Sequence, residues 1–298
     1  MQKQLHKKAI ALLITVFFIM AITVSIGVGL KYLKSANDTM SSELFNLQTS
    51  IILDDVLNIL KKSPELQKIN SAESLAVFLA QTASLPFSSH EVNVEVEIKS
   101  ARAKVNINKF KTQDKLDTLK LFLEMKNINT EYANMIFDSI NGVKEDNSYT
   151  TDIFSEKPYL FRDYISSKDQ LLEINDAYYK SFHDANLKNV DTLELFYLSK
   201  DTNSSVDLNY ATALTWELLL SCDSERANML EVNGAGYTSV DDFDLNDDEK
   251  IALNKFQVSF YEPIIDVKIE ITQKNLNASI RFEYNIISKK GSNFVYEV

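Results

Sequence analysis

Residues 92–107 read VNVEVEIKSARAKVNI. Val92, Val94, Val96 and Ile98 alternate strictly with polar residues, the mark of a strand with one buried face. Alternation resumes at Val105 and Ile107 after Lys99-Ser-Ala-Arg102, which predicts a hairpin. The same two-residue period returns far downstream, over 258–272, 278–287 and 293–298, as strands of an antiparallel sheet. Between these strand regions the pattern turns helical: about 114–125, 130–140, from Ser167 through Ile174, 176–183, 211–220, 224–232 and 247–255. Ser167 with Gln170 has the spacing of a capping box, and 193–198 reads as a short strand. The expected class is therefore α+β. An antiparallel sheet domain is formed by 64–111 and 257–298, with an all-helical insertion over 112–256.

Upstream, a helix over 71–82 closes toward Pro86. Leu44, Leu47, Ile51, Ile52, Val56, Ile59 and Leu60 recur at amphipathic spacing until Pro64, which lacks a donor and clashes with the preceding turn. Before them, Ala9–Leu30 (AIALLITVFFIMAITVSIGVGL) carries no charge. As a helix it would reach roughly 33 Å, enough for a hydrocarbon core of about 30 Å. Residues 10–63 thus read as one long transmembrane and amphipathic helix behind a 1–9 leader. Lys3, Lys7 and Lys8 place the leader in the cytoplasm and the bulk outside, as a single-pass protein of the inner membrane. A cleaved secretory signal fits less well, because the apolar run is long and no A-x-A site follows.

The net charge is −11, or −14 without the three leader lysines, which disfavours a nucleic-acid partner. Six glycines, three histidines and one cysteine leave no phosphate-binding loop, cysteine-rich zinc site or intrachain disulfide. His90 and His183 lack evident partners, and no G-x-S-x-G is present, so no enzyme is expected. Asp242, Asp244 and Asn246 have the alternation of an EF-hand loop. However, Asp247 stands where Gly is required, and Leu253 where a bidentate Glu belongs. They read instead as caps of a helix starting near Asp247; no cofactor is expected, with calcium the one ion left open. Residues 206–243 could form a DNA-binding helical hairpin, but Ser221-Cys-Asp223 lacks its phosphate-binding glycine. Trp216, beside Leu214, Leu218 and Leu219, reads as a core or interface anchor, and Cys222 as a partly buried thiol. A faint internal echo links 164–178 to 237–251, aligning Tyr164 with Tyr237.

In order, these features resemble the type II secretion system minor pseudopilin K family, also called general secretion pathway protein K. Five stretches carry the likeness: Lys8–Val16, Val96–Phe110 with its Asn106-Ile-Asn108, Phe161–Tyr178, Val206–Ala211 and Tyr237–Phe243. The resemblance implies a pseudopilin sheet domain with a helical insertion, acting at the tip of a pseudopilus to initiate or cap its assembly for protein export. It implies as partners the other minor pseudopilins, the major pseudopilin, a prepilin peptidase and the inner membrane.

It also implies prepilin-type processing at Lys8, Ala9 and Ile10. Ala9 stands where the family has glycine; cleavage after it would leave N-methylated Ile10 as the first mature residue. The fifth mature residue is then Ile14, where most pilin-like subunits carry Glu. A tip subunit, with none above it, needs no such acid; equally, Ile14 suits any anchor helix. The family's W-x-D-x-D loop near a calcium site has only scattered acids to match it, from Asp138 to Asp146. Two other readings remain open: a minor pilin of a type IV pilus or uptake machine, and a membrane-anchored periplasmic sensor or ligand-binding module.

Overall fold

The computed structural model describes residues 41–297 apart from positions 90, 91, 147, 202, 233 and 275. The apolar span Ala9–Leu30, with Lys8, Ala9, Ile10 and Ile14, lies outside the described residues, as does His90. Among the described residues no helix is long and apolar enough to cross a membrane. The chain divides into two compact units, one of residues 1–101 and 263–298, the other of 102–262.

In the first unit, helix α1 (Ser41–Lys62) ends just before Pro64, as the sequence predicts. Phe45, Ile52, Val56, Ile59 and Leu60 form its buried stripe, which packs on the strands Ile264–Gln273 and Leu276–Asn285. Helix α2 (Ala72–Thr82) starts from a capping box in which Ser71 and Ser74 satisfy each other's free amides. It packs on β2. The antiparallel sheet has the order β1 (Ser84–Ser89), β2 (Val92–Ser100), β7 (Ile264–Gln273), β8 (Leu276–Asn285), β9 (Lys290–Glu297).

Strand alternation decides the sheet's two faces. Val92, Val94, Val96 and Ile98 are buried beside Ile265, Val267, Ile269 and Ile271, then Ala278, Ile280, Phe282 and Tyr284. Each full burial of such a side chain stabilises by about 1.5–3 kcal/mol. The other face carries ion pairs: Glu97 with Lys99 (2.6 Å), Lys268 with Glu270 (2.5 Å), and Arg281 with Asp266 (2.7 Å). Exposed pairs contribute roughly 0–1 kcal/mol each, so the apolar face sets the register.

Two strand expectations need correction. Residues 92–98 and 105–107 do not form a hairpin: β2 pairs with β1 and β7, while β3 (Val105–Asn106) pairs in parallel with β4 (Phe196–Tyr197). Nor is 258–272 one strand, because Pro263 separates β6 (Val258–Ser259) from β7. Pro86 does not end a helix but sits inside the edge strand β1, where its missing donor costs no ladder bond.

The second unit is mainly helical. Helices α3 (Gln113–Met125) and α4 (Glu131–Ile140) precede a single turn, α5 (Ile153–Glu156). Helix α6 (Lys168–Phe182) runs unbroken where two helices were expected, since no Gly or Pro interrupts it. Residues 193–198 divide between α7 (Thr192–Leu195) and β4, because Asp191 caps the amides of Leu193 and Glu194. Then come β5 (Val206–Asp207), α8 (Ala213–Leu220), α9 (Ser224–Leu230), α10 (Asp247–Leu253) and β6, with β5 parallel to β6. Trp216 is fully buried against Phe243 (ring centroids 5.0 Å), and Phe110 meets both Phe196 and Phe256 at 6.0 Å.

Ile269→Ala, at a fully buried site in the central strand, should destabilise the sheet unit by about 2–5 kcal/mol. Native-state amide exchange of β7 and β8 would read the loss; unchanged protection would contradict this packing.

Candidate functional site

The polar groups that organise the helical unit are two asparagines, Asn108 and Asn209, each at most 1 % exposed. Asn108 Oδ1 accepts from the Ile165 amide (2.8 Å), and its Nδ2 donates to the carbonyls of Ile165 and Ser199 (both 3.0 Å). Asn209 Oδ1 accepts from the amides of Gly236 (2.9 Å) and Tyr237 (2.8 Å). Its Nδ2 donates to the carbonyls of Tyr237 (3.0 Å) and Phe260 (2.8 Å). A primary amide offers both donors and acceptors, so it can dock a turned backbone as another strand would.

The two clamps belong to one repeated pattern, Val105-Asn-Ile-Asn108 and Val206-Asp-Leu-Asn209. Each begins with a two-residue parallel bridge. In each, the side chain two residues before the clamp accepts from the clamp's own amide: Asn106 to Asn108, and Asp207 to Asn209, both 3.1 Å. The clamped segments match too. Gln170 Oε1 accepts from Ser166 N (3.0 Å), and Asp242 Oδ2 from Thr238 N (2.7 Å). The geometry shifts the internal echo by one residue, pairing Ile165, not Tyr164, with Tyr237. A hydroxyl residue and a serine then follow in both copies, Ser166-Ser167 and Thr238-Ser239.

The second partner differs between copies. Asn106 Nδ2 donates to the carbonyls of Ser199 (3.0 Å) and Asp201 (2.8 Å), whereas Asp207 Oδ2 accepts from Glu262 N (3.0 Å). Burial pushes the Asp207 carboxyl up to about 6. The amides of Glu262 and Asn209 pull the other way, and the Glu262 carboxylate adds a smaller rise. Lys109 Nζ reaches the Ser204 carbonyl and Gln257 Oε1 (2.8 Å). Its burial, reinforced by Lys115, lowers the ammonium to about 8 against the opposing pull of Asp201 and Glu262.

Of the three residues expected to cap α10, Asn246 does so, its Oδ1 accepting from Glu249 N (2.9 Å); Asp242 instead accepts from the amides of Thr238 and Ser239, and Asp244 ends the turn that follows them. Arg226 Nε donates to Glu249 Oε1 (2.9 Å) beside a cavity of about 440 Å³ lined also by Cys222, Asp223 and Asp244. Burial, then the nearby Glu249 and Asp223, pushes the half-buried Cys222 thiol up to about 11, the wrong direction for a nucleophile. Asp138 is fully buried and accepts from Thr150 N (3.2 Å) and from Thr151 N (2.7 Å) and Oγ1 (2.9 Å), tying down its loop. His183 ends α6 in the left-handed conformation. Among the described residues no three His, Cys, Asp or Glu side chains gather as a metal site. The processing residues Lys8, Ala9 and Ile10, and Ile14, fall outside the described residues. The arrangement holds loops in place.

No protein-family model and no curated protein sequence matches the chain. In fold it is similar to a chain of the crystal structure of the GspK-GspI-GspJ complex from the enterotoxigenic Escherichia coli type 2 secretion system. The TM-score is 0.58 at 16% sequence identity, covering 88% of this chain and 100% of the other.

Asn209→Ala should cost the helical unit about 2–4 kcal/mol, since two amides and two carbonyls lose their partner. Trp216, the single tryptophan, reports this unit by fluorescence during urea unfolding; a loss below about 0.5 kcal/mol would contradict the clamp. Asp207 adds a pH dependence. Its folded value lies above the unfolded 3.8, so its contribution is present below that value and lost as pH rises through about 6. Between pH 4 and pH 7, wild type should therefore lose stability relative to Asp207→Asn by the same fluorescence measurement.

Proposed function

We propose that the chain is a minor pseudopilin at the tip of a type II secretion pseudopilus, where it initiates or caps assembly for protein export. The observation that carries this reading is the likeness of fold, which covers 88% of this chain and all of the chain from the GspK-GspI-GspJ complex.

In mechanism, the apolar stretch Ala9–Leu30 packs among neighbouring subunits, first in the inner membrane and then in the shaft. Processing by a prepilin peptidase after Ala9 exposes Ile10, which is methylated; Ile14 leaves no acid seeking a neighbour's amino terminus. The helical unit, 102–262, supplies bulk that blocks addition of a subunit above. The partners are the other minor pseudopilins and the major pseudopilin, with the bulk of the chain in the periplasm. No catalytic step and no cofactor belong to this role.

Mass spectrometry of the mature amino terminus tests the reading. An N-methylated Ile10 start is expected. An intact Met1 start in cells with an active prepilin peptidase would overturn it.

A further inference from the structure

The geometry points to Asp207 as a pH-operated catch that holds the two ends of the helical unit together. That unit begins at Arg102 and ends at Glu262. Both ends bond to Asp207. Its amide donates to the Arg102 carbonyl (2.8 Å), and its Oδ2 accepts from the Glu262 amide (3.0 Å). Its other oxygen accepts from the Asn209 amide (3.1 Å). A single residue of β5 therefore ties down the first and last residues of the unit.

The choice of an acid here is unusual. Asp207 is fully buried, and among the described residues no cationic side chain bonds to it. A buried carboxylate without a counter-ion is costly and favours taking up a proton. The groups facing it do not relieve that cost. On the end segment, the Glu262 carboxylate adds like charge. The Tyr210 hydroxyl is buried without a partner and is held protonated, first by burial and then by the Asp207 charge. Tyr261 is likewise pushed up by burial. The Arg102 guanidinium lies over the Tyr197 ring (4.5 Å), and Lys109 Nζ is held by Ser204 and Gln257. The internal repeat supplies a control. At the equivalent place Asn106 bonds the carbonyls of Ser199 and Asp201, both inside the unit, and a neutral amide suffices. Of the two equivalent places, the titratable one is that at which both ends meet.

Acid keeps the catch closed. Opening wets Asp207, whose carboxyl then returns from about 6 to its ordinary 3.8. Release is thus hardest below 3.8, and grows easier as pH rises until the closed carboxyl ionises above about 6. Complete wetting predicts a roughly thirtyfold larger open fraction at pH 7.5 than at pH 4.5. The two ends loosen while the helices stay folded. This catch goes beyond the tip reading and does not depend on it.

Hydrogen exchange of the full chain in detergent, read by mass spectrometry and corrected for the intrinsic pH dependence of exchange, tests it. Peptides covering Asp207 and Glu262 should lose protection about thirtyfold between pH 4.5 and pH 7.5. Their rates should be indifferent to low urea, as local opening requires, whereas α8 should exchange only through urea-sensitive unfolding. Asp207→Asn, shown to be folded by Trp216 fluorescence, should flatten the pH response. If that variant does not fold, the wild-type profile alone decides. Protection that does not change with pH overturns the proposal. So does a response that survives in Asp207→Asn, or end segments that exchange only together with α8.

Discussion

The pairing of β2 with β7 is the constraint on which everything else rests. It runs in unbroken register from Val92 opposite Gln273 to Ser100 opposite Ile265, and the Ala101 amide continues it to the Ile264 carbonyl at 3.0 Å. Those two points bracket roughly 160 residues, whose closure costs about 4–5 kcal/mol on chain-entropy grounds. Four valine or isoleucine side chains on each strand, all nearly fully buried, offset that cost. With both ends of the insertion fixed at one place, the helical unit can be large without adding a strand to the sheet.

What was legible in the sequence was whatever is buried on one side. The valines of β2, the stripe of α1 and the helices around Trp216 announce themselves by period, because solvent on the opposite face forces polar residues there. The parallel bridges β3–β4 and β5–β6 do not. They are two residues long and held by side-chain amides, so no periodicity marks them, and Val105 and Ile107 looked like the return arm of a hairpin. Pro86 misled in the same way: proline interrupts a helix and tolerates an edge strand, and only the neighbours decide which. The clamps were half visible, as Asn106-Ile-Asn108 and Val206-Asp-Leu-Asn209, but their role needs partners distant in sequence. The echo was found one residue out of register because Tyr164 and Tyr237 were matched by type, while the backbone matches Ile165 with Tyr237.

The helical unit also shows how one solution can be used twice with different chemistry. Asn106 and Asp207 hold equivalent places, yet one must give hydrogen bonds to carbonyls and the other must accept from an amide. A neutral side chain suits the first. The second takes a carboxylate into a buried position and accepts the resulting pull toward protonation. Such polar interiors define a single arrangement more sharply than apolar packing alone, because a shifted turn would strand several donors at once.

Pro86 has a wider consequence than its own strand. A sheet whose first strand carries a proline cannot take up a further strand in full register at that margin. Sheet-forming chains with two receptive margins polymerise into fibres, whereas one blocked margin stops such growth. For a protein this rich in β-branched strands, that asymmetry is protection against runaway aggregation, built from one residue without an amide hydrogen.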